Sequence, residues 1–92
     1  MIQRISRAEI IAIYNIEIDF FDELTDVGLL QVEQEQDEIY LDLEDLSRLE
    51  RFANLYYDLE INISGIEVID RLLQQVRDLQ NENHLLRLYR GE

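Results

Sequence analysis

From Asn62 to Tyr89 the chain runs without a proline and with one glycine, and its apolar residues return on a heptad. Ile69, Val76 and Asn83 take position a, and Leu72, Leu79 and Leu86 take position d. A helix over this range would be roughly 40 Å long at ~1.5 Å per residue, longer than a small domain is wide. The stripe predicts a homodimer through Ile69, Leu72, Val76, Leu79, Asn83 and Leu86, against the competing reading of a long helix packed on its own domain. Asn83 at an a position specifies register, because a buried amide needs a partner amide. Ile66 and Leu73 widen the stripe near the start, where the helix must also pack on its own domain.

The remaining residues must form whatever core there is. Ninety-two residues, 47% of them hydrophobic, suffice for a single domain. Residues 1–60 form its core and residues 62–90 its long C-terminal helix. Three glycines and no proline argue for a mainly α chain.

Ser6 and Glu9 match the S-x-x-E capping box, which opens a short helix to about Tyr14. Its residues Ala8, Ile10, Ile11, Ala12 and Ile13 are apolar nearly all round and predict deep burial. Asn15 breaks the run. A second short helix follows within residues 16–28, with Phe20, Phe21, Leu24 and Val27 as its core face and Gly28 as its terminator. The tight connection makes these two helices a helix-turn-helix.

Leu30 and Val32, then Ile39 and Leu41, alternate with polar residues around a turn at Glu35-Gln36-Asp37. That pattern is a two-stranded β-hairpin, placed as a wing. Leu43, Leu46, Leu49, Phe52, Ala53, Tyr56 and Leu59 repeat at helical spacing and predict a third helix to Leu59. Asn62 or Ser64 then caps the long helix.

The formal charge is -13 and the pI near 4.2. From Glu17 to Glu50 thirteen acids face one arginine, Arg48. Such a field repels phosphate, which argues against nucleic acid and anionic membrane and for a basic protein partner. Asp19, Asp22, Glu23 and Asp26 on the second helix, with Tyr40, Glu44 and Asp45, are the expected partner-binding residues. Tyr56, Tyr57 and one of Phe20 and Phe21 are further candidates for an apolar centre.

Cysteine is absent, so no disulfide or thiolate chemistry is expected. The single histidine, His84, sits on a charged helix and reads as solvated. The Glu33-Glu35-Asp37 alternation lacks the spacing of a calcium loop. No enzyme signature, cofactor or metal site is expected. The start MIQRISRAE carries no signal-peptide pattern, and a cytoplasmic protein is expected.

The order helix-turn-helix, VGLL at 27–30, wing, third helix and capped fourth helix resembles MerR-like DNA-binding domains. The segments IYLDLEDLSRLERFANLYYDL (39–59) and EINISGIEVIDRLLQQVRDLQNENHLL (60–86) resemble the CbpM-like chaperone modulators, a branch of that fold. The resemblance spans roughly residues 5–90. It implies a MerR-like winged helix-turn-helix with no catalytic residues, binding the J-domain of a DnaJ-like (CbpA-type) co-chaperone and inhibiting or tuning its stimulation of Hsp70. The alternative is a MerR-like transcription regulator. The acidic second helix and wing weigh against DNA, since both lack the basic residues that hold phosphates.

Overall fold

The computed structural model describes residues 3–91. Strand β1 (Arg4–Ser6) leads into helix α1 (Arg7–Tyr14) and, after Asn15, helix α2 (Ile18–Asp26). Strands β2 (Val32–Glu35) and β3 (Glu38–Asp42) follow. A 3-10 turn (Leu43–Asp45) opens helix α3 (Leu46–Ala53), which widens into a π-helical turn (Asn54–Asp58) before helix α4 (Ile63–Arg90).

The sheet has three strands, in the order β1-β3-β2, and is not the two-stranded hairpin expected. Ile5 pairs with Leu41 across β1–β3, and Glu33 pairs with Tyr40 across β2–β3. A lone hairpin is marginal in water and leaves an edge of unpaired backbone. Arg4–Ser6 covers that edge, and three residues are too few to announce a strand by alternation. Leu41 at the centre of the sheet is fully buried.

Ser6 caps α1 as its sequence suggests: its Oγ accepts the Glu9 N–H at 3.2 Å and donates to Glu9 Oε1 at 3.0 Å. The expected burial of α1 does not hold. Only Ile10 is fully buried, while Ala8, Ala12 and Ile13 face solvent. The helix is eight residues long and packs on β1 and β3. Ile10, with half-buried Ile11 and Tyr14, covers the packed side, and among the described residues nothing covers the other side. Asn15 ends the helix in the left-handed region, φ 53°, which asparagine tolerates better than most residues.

On α2, Phe20, Phe21 and Leu24 are buried, but Val27 is exposed, contrary to its place in the expected core face. The helix stops one residue earlier, and Gly28 at φ +84° turns the chain back. Leu29 and Leu30 occupy the core in Val27's place. Both N–H groups return to the Leu24 carbonyl, at 2.9 and 3.3 Å.

The third helix is not the continuous element expected. Asp42 accepts the Glu44 N–H at 3.1 Å and starts the chain as a tight 3-10 turn. At the other end the Leu59 N–H reaches the Asn54 carbonyl at 3.3 Å, the wider spacing of a π turn. Leu59, expected on the core face, is exposed. Leu49 and Phe52 carry α3 into the core, with half-buried Leu46 and Ala53 packed beside them.

Asn62, not Ser64, caps α4, its Oδ1 accepting the Gly65 N–H at 2.8 Å. A Cβ at Gly65 would stand 2.7 Å from Ile61 Cγ2, so a larger residue there would push that side chain aside. Ile66 is the only fully buried residue of α4. Asp70 ties the helix to α3 through Arg48 at 2.8 Å and Arg51 at 3.3 Å. Beyond this point α4 projects, which stretches the molecule to 52 Å along its longest axis. No helix among the described residues is long and apolar enough to cross a membrane.

Candidate functional site

Helices α1 and α2 and the β2–β3 wing form one contiguous surface, and α2 occupies the exposed second position of the helix-turn-helix. Its inner side is fixed from below. Phe20 stacks on Tyr56 at 4.5 Å and meets Tyr57 edge-on at 5.2 Å, so the π turn grips α2 through an aromatic trio. Glu17, the residue before α2, offers no side-chain cap. The Tyr57 hydroxyl stands in nearby, accepting the Glu17 N–H at 3.0 Å. The outer side of α2 presents Ile18, Asp19, Glu23 and Asp26 to solvent.

Two arginines reach this surface. Arg7, at the start of α1, donates to Asp22 on α2 at 2.8 Å. Arg4, on β1, lies 4.1 Å over the Tyr40 ring and is held by Glu33 at 3.2 Å and by Glu35. The Tyr40 hydroxyl donates to Glu38 at 2.8 Å, and that bond to an anion pushes the phenol above its ordinary value. Between the start of α1, Ile18 and the wing tip runs a cleft of about 410 Å³, with Arg7, Ile11, Asp37 and Ile39 on its walls.

The expected partner-binding residues therefore fall into two groups. Asp19, Asp22, Glu23 and Asp26 lie along α2, and Tyr40, Glu44 and Asp45 lie on β3 and the 3-10 turn. Only Asp22 among their carboxylates is in an ion pair within the described residues. Sequence reasoning did not foresee that Arg4, Glu33, Glu35 and Tyr40 form one cluster. The hairpin register, which sets Glu33 opposite Tyr40, carried part of that information.

Charge is unevenly shared along the chain. Residues 1–60 hold sixteen acids and four arginines, whereas Ile63–Arg90 hold four of each. Along this neutral helix, Leu72, Val76, Leu79 and Leu86 are each about half exposed. No three or more acidic or histidine side chains among the described residues gather as a metal site.

Residues 5–88 match the family model described as MerR HTH family regulatory protein. No curated protein and no solved structure shows significant similarity to the chain. The family match corrects the expected function. A regulatory helix-turn-helix family replaces the CbpM-like chaperone modulator, and with it the J-domain partner and the exclusion of nucleic acid. The acidic field misled because net charge governs solubility and association rate, while the fold and its use are set elsewhere. The family is regulatory and not catalytic.

Proposed function

The chain belongs to the MerR family of helix-turn-helix regulatory proteins, and on that premise we propose that it is a DNA-binding transcription regulator acting as a dimer. The observation that carries this reading is the family match across a complete helix-turn-helix and wing whose second helix leaves its outer side open. Arg4 and Arg7 are the arginines placed on that surface to meet phosphates, beside the N-terminus of α1. The acidic field lowers affinity for DNA of any sequence, so recognition leans on base edges. Asp19 and Glu23 lie one turn apart on α2, exposed and free of ion pairs within the described residues. Carboxylates accept hydrogen bonds from the cytosine amino group in the major groove, so cytosine is the base they favour.

Pairing of two copies through α4 completes the reading. The half-exposed stripe of Leu72, Val76, Leu79 and Leu86, with Ile69 and Asn83, lies on a helix whose four acids and four arginines leave it without net charge. Two such helices associate without the repulsion that two heads would meet. Selection from a pool of random duplexes at low salt tests the function. Two-fold symmetric sites with cytosine in each half-site are expected. A pool with no enrichment after repeated rounds would defeat the proposal.

A further inference from the structure

The four arginines of residues 1–60 are all held by carboxylates of the same chain, in two different ways. Arg48 and Arg51 converge on Asp70, whose side chain is only 20% exposed, and this joint staples α3 to α4. The other pairs are open. Asp22, Glu33 and Glu35 have side chains 43, 69 and 59% exposed, and they stand on α2 and β2, the elements that form the proposed DNA surface.

Building on the DNA-binding reading, we infer that Asp22 and the Glu33–Glu35 pair are intramolecular stand-ins for phosphate, and that they hold Arg7 and Arg4 in a self-masked state. Exposed ion pairs hold weakly and exchange readily. A guanidinium takes a phosphate with the same forked geometry it uses for a carboxylate. DNA must therefore displace Asp22 to gain Arg7 and both Glu33 and Glu35 to gain Arg4, and the freed carboxylates are left facing the duplex. Masking keeps the protein off DNA of arbitrary sequence. A site whose bases are read well supplies the free energy for the exchange.

The mask has a signature distinct from bulk charge. An arginine already paired contributes little counterion release when it reaches a phosphate, whereas a free one adds about 0.9 to the slope of log K against log salt. The variants D22N and E33Q/E35Q free Arg7 and Arg4 respectively. The variants D58N and D58N/E60Q remove the same charge from exposed residues that join no ion pair among the described residues. Binding to a labelled duplex of mixed sequence is followed by fluorescence anisotropy from about 50 to 200 mM salt. All proteins are first checked for native helicity and melting.

D22N and E33Q/E35Q are each expected to bind about tenfold more tightly at the low-salt end, with a slope steeper by about 0.9 per arginine freed. The charge-matched controls are expected to gain less and to keep the parent slope. Measurable binding by the parent, with freed and control variants alike in affinity and slope, would overturn the mask and leave the DNA reading standing. Absence of binding by the parent and by both freed variants at the lowest salt would overturn both.

Discussion

The hydroxyl of Tyr57 accepts the backbone N–H of Glu17 at 3.0 Å, a bond that joins the π turn to the residue preceding α2 across forty positions of sequence. The turn is wide enough at this point to bring Tyr56 and Tyr57 together against Phe20. The substitution Tyr57→Phe keeps the ring contacts and removes only the acceptor. It is expected to cost about 0.5–1.5 kcal/mol, the net worth of one hydrogen bond, measured by urea unfolding. Amide exchange should quicken at the start of α2 more than elsewhere. Uniform exchange rates there would show that the bond positions nothing.

Asp70 receives two arginines from α3 and is the most shielded acid in any ion pair of the described residues. Asp70→Asn leaves both guanidinium groups without their counter-charge. A loss of about 1–2 kcal/mol is expected, between the worth of an exposed pair and that of a charged hydrogen bond. The loss should shrink when Arg48 and Arg51 are also changed to Gln, since the orphaned charges are then absent. A double-mutant cycle checks this.

For the α4 stripe the expected result concerns mass. Leu72 and Leu79 are 53 and 60% exposed, so replacing both with Asp should leave the fold of one chain intact. The same change places charge at two d positions of a paired helix, which a buried seam does not tolerate. Light scattering should then report the mass of a monomer while circular dichroism retains the helical signal. An unchanged mass would remove dimerisation through this stripe.

Tyr40 sets a dependence on alkaline pH. Its hydroxyl donates to Glu38, and that bond, then burial and the Glu38 charge, raise its pKa above the ordinary 10.0. The folded state thus holds the phenolic proton more tightly than the unfolded state. Its stabilising contribution is fully present below pH 10 and disappears as pH rises through the raised folded value. A phenolate absorbance titration should show a late-ionising group that Tyr40→Phe removes. Glu38→Gln should bring that ionisation back toward its ordinary range.

Much of this architecture is local and was legible along the chain. Ser6 and Glu9 open α1, Gly28 turns the chain after α2, and of the two expected caps, Asn62 and Ser64, it is Asn62 that opens α4. Each of these depends on residues within a few positions of one another, so periodicity and capping rules reach them. The hairpin was legible too, but its third strand was not. The β1 pairing with β3 spans more than thirty residues and leaves no periodic trace in Arg4-Ile5-Ser6. The burial of α1 departs from its sequence pattern for a related reason: apolar residues on every side state what could be buried, and the neighbours decide which side is.

The candidate surface divides in the same way. The acidity of α2 was plain from its composition, and it led to a basic protein partner that the family match does not support. Composition sums charge without regard to where opposite charges meet. The placement of Arg7 against Asp22, and of Arg4 among Glu33, Glu35 and Tyr40, is a tertiary fact. By itself the sequence determined the order of the helices, the Ser6 cap of α1 and the heptad of α4, because those follow from short-range sterics and backbone hydrogen bonding. Only the tertiary structure decided the third strand, the π turn under α2 and the pairing of the arginines, because each depends on groups far apart in the chain that packing brings together.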